Sequence, residues 1–287
     1  MKPLDWVAAF AVILIWAFNF VAGKVGVTQI PPLFLLGLRF GLVALLLVGF
    51  LRAPGKPWRQ IVALSVVLGG LHFGLMFTGL GGVDAGPAAI AIQLAVPFSA
   101  LLAWVVYGER MGRAQLAGLL IAFVGVYILA GEPATSPSIP HFLLVVGGAF
   151  AWSVANILIK RLGAINGFVL NAWLAVLATP QLFVASMLTE TGHLQALQGA
   201  DWRAWGAIVY MALGASITAY GLWYYLIGKY EVNRLVPLML LSPVLAVLLA
   251  VLFLGEPLTL RIIFGGAITL AGVAMIELLK PRPGPAT

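Results

Sequence analysis

Ten apolar blocks follow one another along the chain, at approximately 5–27, 33–51, 59–80, 86–107, 114–131, 140–161, 166–188, 203–227, 233–254 and 260–279, separated by short polar stretches. An α-helix rises 1.5 Å per residue, so a block of about 20 residues crosses a bilayer core of roughly 30 Å. The blocks are continuously apolar, whereas barrel strands alternate apolar and polar residues over about ten positions. The pattern predicts an all-α polytopic membrane protein with ten transmembrane helices.

The pattern also repeats. Gly108, Glu109, Gly118 and Gly125 match Gly255, Glu256, Gly265 and Gly272 at a constant offset of 147, and IWAFNFVAGK (15–24) resembles AWSVANILIK (151–160) at an offset of 136. The difference places extra residues in the second half, most simply in TETGHLQALQGADW (189–202). The chain thus divides into a first repeat, 1–136, and a second, 137–287, with five helices each. An odd number of crossings puts the second repeat in the membrane upside down relative to the first. Inverted repeats are the architecture of secondary transporters, in which one half rocks against the other around a site near the midplane.

Composition changes the picture little. Apolar residues make up 62% and charged residues 9% of the 287, against roughly 45–50% and about 25% in a soluble domain. The net charge of +7 would suggest nucleic acid, but its placement does not. With the N-terminus inside, Lys2, Arg52, Lys56, Arg59, Arg110, Arg113, Lys160, Arg161, Lys229, Arg234, Lys280 and Arg282 fall on the inner side, and Lys24, Arg203 and Arg261 on the outer. That is the positive-inside asymmetry, and it sets both termini in the cytoplasm. The first block could pass for a signal peptide, yet no small-residue cleavage site follows it, so it is expected to remain as helix 1. Without cysteine there is no disulfide, thiol nucleophile or thiolate metal site.

Several segments carry a family resemblance: WAFNFVAGKVG (16–26), PPLFLLGLRF (31–40), YGER (107–110) with the glycines of helix 5, and AYGLWYYLIGKYEVNRLVPLMLLSPV (219–244). In these the chain resembles the drug/metabolite transporter superfamily, in its EamA-like branch of ten-helix carriers, and is especially similar to bacterial O-acetylserine/cysteine and amino-acid exporters. The resemblance implies export of amino acids or related metabolites across the bacterial inner membrane.

Polar groups inside a bilayer are costly and mark function by default. Helix 1 offers Trp16 and Asn19; helix 6 offers Trp152, Ser153 and Asn156; helix 4 offers Gln93; helix 8 offers Tyr220 within an aromatic cluster with Trp223, Tyr224 and Tyr225. His72 lies in GGLHFG of helix 3 and either binds substrate, relays protons or is a neutral histidine bonded within the bundle. Trp16, Asn19, His72, Gln93, Trp152, Asn156 and Tyr220 are expected to border one cavity. Arg39, mid-span between Gly37 and Gly41, ties helix 2 to a neighbour or meets a substrate carboxylate. Pro97 and Pro243, nearly repeat-related, are expected to kink helices 4 and 9 as gates or cavity walls. Glu109 and Glu256 read as folding elements at helix ends, and Asp84 as a solvated loop residue.

These readings converge on a secondary transporter. Gly-Lys pairs at 23–24, 55–56 and 228–229 are followed by Val, Pro and Tyr, so no P-loop is present and energy must come from a gradient. Proton coupling is one source; facilitated efflux down the substrate's own gradient is another. Efflux of drugs or other metabolites is the alternative substrate reading. A channel or membrane-embedded enzyme is a further one, but His72, His141 and His193 are scattered and no catalytic or metal-ligating set assembles. No cofactor is expected, and the partners are a small-molecule substrate and the bilayer.

Overall fold

The computed structural model describes residues 1–52, 58–108, 111–131, 139–163, 165–230, 235 and 238–279. Among the described residues all regular structure is helical. Eight helices are long and apolar enough to cross a membrane: α1 (Pro3–Val27), α3 (Trp58–Gly82), α4 (Ala85–Tyr107), α5 (Arg113–Ala130), α6 (Ile139–Leu162), α7 (Gly167–Thr189), α8 (Trp202–Ile227) and α10 (Leu260–Leu278). The other two apolar blocks hold shorter helices, α2 (Pro32–Leu46) and α9 (Leu241–Leu254).

Two block boundaries shift for local reasons. The expected span 33–51 stops being α-helical at Leu46 and tightens into a 3₁₀ turn, Val48–Phe50, around Gly49, a poor helix former. The span expected from 233 gives a long helix only from Leu241. Residues 231–234 and 236–237 lie outside the described residues, as do Glu109, Arg110 and Lys56.

Both prolines follow closely on a break in regular α-helix. Each is the third residue of an α-helical segment, Pro97 in Ala95–Tyr107 and Pro243 in Leu241–Leu254. Proline cannot accommodate the carbonyl four residues back, which is Gln93 for Pro97, and Gln93 lies in the 3₁₀ turn Ile92–Leu94 that breaks α4.

Both duplicated glycine-glutamate pairs begin with the same backbone conformation. Gly108 ends α4 and Gly255 ends α9, each at φ 68°, the left-handed cap that glycine adopts without a Cβ clash. Glu256 then reaches across to α4. Its carboxylate accepts from the N–H of Ala85 (2.6 Å) and of Gly86 (2.9 Å), two orphan donors at that helix's start. Burial pushes the Glu256 carboxyl up, against the two backbone hydrogen bonds that favour its ionised form. Asp84 is not a freely solvated loop residue: it is half-buried at the N-cap of α4, close enough to feel Lys24 and Glu256. Lys24 donates to the carbonyls of Leu80 (3.0 Å) and Val83 (2.7 Å) at the end of α3.

The polar stretch 189–202 works in the same way. It forms a short helix, His193–Gly199, and its Glu190 accepts from Leu33 N–H (2.8 Å) and Phe34 N–H (3.1 Å) at the start of α2. Asp201 and Gln29 exchange two hydrogen bonds, of 3.0 and 2.9 Å.

Small residues set the helix spacing, as expected where apolar burial gives helices no preference over lipid. A Cβ on Gly118 would lie 2.7 Å from the Gly272 carbonyl oxygen, and one on Gly265 would lie 3.0 Å from that of Gly125. The pairing reverses the order along one helix, so α5 and α10 pass antiparallel. Gly37 of α2 faces Phe183 of α7 and Gly41 faces Thr179, again in reversed order.

Most of the large contacts join the first five helices to the last five: α2 with α7, α5 with α10, α3 with α6, α1 with α8, α4 with α6 and α1 with α9. Replacing each helix by the one five places along exchanges α3–α6 with α1–α8, and α4–α6 with α1–α9. The pairs α2–α7 and α5–α10 map onto themselves.

Candidate functional site

Midway along α3 and α8 the helices widen into π-helical segments, Ser65–His72 and Tyr210–Thr218. A π turn loosens the backbone ladder, and such segments gather at functional sites. In α8 the loosened carbonyls are taken by side chains: Ala215 O accepts from Trp16 Nε1 (3.3 Å) and Ser216 O from Asn171 Nδ2 (2.6 Å). In α3 the segment carries His72, whose Nδ1 donates to the Gly148 carbonyl of α6 (2.9 Å).

Between these two segments lies Arg39. Its Nε and Nη2 donate to Ser216 Oγ at 3.2 and 3.0 Å. Its guanidinium carbon sits 5.0, 5.4 and 5.7 Å from the ring centres of Phe73, Phe40 and Phe77. Desolvated cation–π contacts are worth up to about 2 kcal/mol each, which offsets part of the cost of burying a cation that is 2% exposed. Both halves of the chain contribute, since Arg39 and the three phenylalanines come from the first and Ser216 from the second.

Of the residues expected to share one cavity, the structure joins several. Trp16 packs edge-on to Tyr220 with ring centres 5.3 Å apart, and against Trp223 at 5.8 Å. His72 packs on Trp152 at 4.8 Å and on Phe73 at 4.7 Å. Tyr220 lies one turn from Ser216, and Phe73 lies under Arg39, so the two aromatic groups flank the guanidinium. Trp16, Trp152 and Tyr220 keep partial exposure inside the bundle, whereas His72 (3%) and Asn19 (8%) are buried. Gln93 is half-buried on the 3₁₀ turn of α4. Asn156 is not drawn into the group: it is exposed, one turn along α6 from Trp152, and its Nδ2 contacts Ser99 Oγ at 3.4 Å.

Sequence reading passed over Ser216 and Asn171, although the rule that singled out Asn19 and Asn156, a polar side chain in an apolar helix, covers both. It also missed Asp5. This carboxylate, 1% exposed in the first turn of α1, accepts from Lys229 Nζ (2.8 and 3.0 Å) and Tyr225 OH (2.9 Å), and closely from Tyr230 OH. The hydrogen bond to Asp5 holds the Lys229 ammonium well above the usual lysine range. The cue was there: an acid opening an apolar helix has to find a partner elsewhere. Ser65, at the start of the π segment of α3, donates to Val62 O and accepts from Gln181 Nε2.

Among the described residues no group of three or more His, Asp or Glu side chains could hold a metal ion. What the site offers is a buried guanidinium, amides, an imidazole and indole and phenol rings, a set that can bind a small polar solute with an apolar part.

Comparison with known proteins gives the same direction. One family model, the EamA-like transporter family, matches twice, over residues 6–131 and again over 140–278. The chain is 32% identical to the "Probable amino-acid metabolite efflux pump" of Escherichia coli (strain K12), over 95% of this chain and 94% of that protein. A protein described in the same words from Salmonella typhimurium is 33% identical over the same shares. Among solved structures, one described as "Crystal structure of protein" superposes with a TM-score of 0.66 at 22% identity, covering 97% of this chain and 98% of that one.

Proposed function

Because this chain belongs to the EamA-like transporter family, we propose that it exports amino acids or related small metabolites by alternating access between two inverted five-helix repeats, 1–136 and 137–287. Multi-pass membrane embedding and transport come with the family. The inner-membrane location with both termini cytoplasmic, the substrate class and the mechanism are this reading's own steps. The observation that carries it is the convergence of Arg39, His72, Trp152, Trp16 and Tyr220 between the two π segments. Polar and aromatic groups from both halves meet there, deep between helices whose outer faces are apolar. The double family match, the reversed glycine contacts of α5 and α10, and a helix-contact pattern that maps onto itself support the inverted repeat.

In this reading His72, Trp152, Trp16, Asn19, Gln93 and Tyr220 line the substrate path, with Asn156 at its exposed margin. The 3₁₀ break before Pro97 and the turn before Pro243 act as hinges of α4 and α9. A rocking half needs contacts that are replaced rather than lost, and glycine-lined helix faces provide smooth surfaces for that.

Purified protein in liposomes tests this. Counterflow is measured with labelled amino acids, a nucleobase and a lipophilic cation, with and without an imposed pH gradient. Saturable counterflow of neutral amino acids is the expected result, and acceleration by the pH gradient would add proton antiport. A lining without a membrane-embedded carboxylate near Arg39 has nothing to neutralise a lipophilic cation. If such cations compete and amino acids do not, drug efflux replaces this reading.

A further inference from the structure

Among the described residues three buried side-chain atoms have no hydrogen-bond partner: His141 Nδ1 at the start of α6, and two within long apolar helices. Arg39 Nη1 and Asn19 Oδ1 each have no hydrogen-bond partner among the described residues, in side chains 2% and 8% exposed. Buried polar groups are paired in the great majority of cases, and an unpaired one calls for an explanation. The charge makes Arg39 the stronger case: among the described residues no carboxylate pairs with it, and its polar contacts go to one serine hydroxyl.

The surroundings of the two side chains share neighbours. Trp16, Asn19 and Gly23 recur at helical spacing on one side of α1. Trp16 packs on Tyr220, one turn from the Ser216 that holds Arg39. A Cβ on Gly23 would touch Phe77 at 3.1 Å, and Phe77 is one of the three rings around the guanidinium. Asn19 therefore lies between two residues that each border the surroundings of Arg39. With Nε and Nη2 on Ser216 Oγ, Nη1 is the guanidinium nitrogen left without a partner.

We propose that Arg39 and Asn19 form a two-pole subsite for an α-amino-acid head group, with Arg39 Nη1 donating to the carboxylate and Asn19 Oδ1 accepting from the ammonium. It rests on the reading that this chain exports amino-acid-like solutes, and it deepens that reading by naming the groups recognised. A planar guanidinium suits a carboxylate better than any other group in the site. An amide oxygen is an acceptor, so it selects a donor. The zwitterion gives each orphan its complement and adds no net charge to the bundle. Phe73, Phe77 and the tryptophans supply apolar walls for the remaining side chain.

The test uses the full-length protein in proteoliposomes, with L-serine, L-leucine and L-phenylalanine, each beside its amide and its N-acetyl derivative. In the unsubstituted protein, both derivatives of a transported amino acid should compete at least about tenfold more weakly than the parent, because a site built to bond a group rejects the analogue lacking it. Arg39→Gln should close the gap between acid and amide to about twofold while the N-acetyl gap persists. Asn19→Leu should do the converse. Such a double dissociation cannot come from general misfolding. Should Arg39→Gln fail to elute as a single species, Arg39→Lys, which keeps the charge, should keep the preference for acid over amide. The subsite is overturned if amides compete as well as acids, or if Arg39→Gln keeps full discrimination and the guanidinium only braces α2 against α8. Transport of another metabolite but none of the three amino acids overturns the subsite and leaves the transporter reading standing. No transport of anything removes both.

Discussion

Gly118 and Gly272 lie in direct backbone contact across α5 and α10, with 2.7 Å between the Gly272 carbonyl oxygen and the place a Gly118 Cβ would take. Gly272 is tighter still, its own missing Cβ falling 2.4 Å from Ala122 N and 2.5 Å from Gly118 O. Backbone cannot give way as a side chain can. Gly272→Ala should therefore destabilise by about 1–3 kcal/mol, the usual cost of overpacking, while Leu120→Ala on the exposed face of α5 should be near neutral. Thermal melts in detergent followed by size-exclusion chromatography check this; equal melts for the two would mean the helices separate freely.

Glu256 caps α4 from a distance, so its removal should be felt as a lost cap. Glu256→Ala should cost about 1 kcal/mol. The pH dependence has a definite sign. Burial raises the folded carboxyl above its ordinary value of 4.5, so its contribution is fully present below that value and declines as pH rises through the raised one. Glu256→Gln should flatten that decline, and melts between about pH 4 and pH 8 would show the two curves converging or parting.

Asp5 and Lys229 join the start of α1 to the turn that follows α8, with Tyr225 and Tyr230 sharing the carboxylate. Asp5→Ala leaves Lys229 and two hydroxyls without their acceptor and should lower stability more than Lys229→Met, which leaves the Asp5 carboxylate its two tyrosine donors. Lys229 is raised above its ordinary value by the hydrogen bond to Asp5. Its contribution is thus complete at neutral pH and lost only above the lysine range. The stability gap between the parent and Lys229→Met should stay flat from about pH 6 to pH 9; a gap that shrinks across that window would contradict it.

The chain has no cysteine, which makes single-cysteine scanning direct. Cysteines at Trp16, Asn19, His72, Gln93, Trp152, Asn156 and Tyr220 should react with small aqueous thiol reagents and be protected by a transported amino acid, with lipid-facing Leu120 and Val124 as controls. Asn156 should be labelled fastest and protected least. His72→Ala should impair transport more than Glu256→Gln does at equal expression. Uniform reactivity at site and control positions would remove the proposed path.

Reporter fusions decide orientation. Both termini and the loop carrying Lys56 should report cytoplasmic, as the lysine and arginine asymmetry requires. An external C-terminus would end the inverted-repeat reading.

The sequence by itself determined the helical class, the position of each apolar block and the duplication. Those follow from a bilayer that admits only fully hydrogen-bonded helices of fixed length and from glycines whose roles are local. A left-handed cap at Gly255 is set by neighbouring residues, so it is legible in one dimension. What Glu256 caps, what Asp5 pairs with and why Arg39 is tolerated in the interior were decided by tertiary structure alone. Glu256 meets Ala85, Asp5 meets Lys229 and Arg39 meets Ser216, partners separated by 171, 224 and 177 positions. No periodicity encodes such pairings. A polar side chain in an apolar helix announces that it needs a partner; only the packing of the two halves against each other supplies one, or, for Arg39 Nη1 and Asn19 Oδ1, leaves the place open.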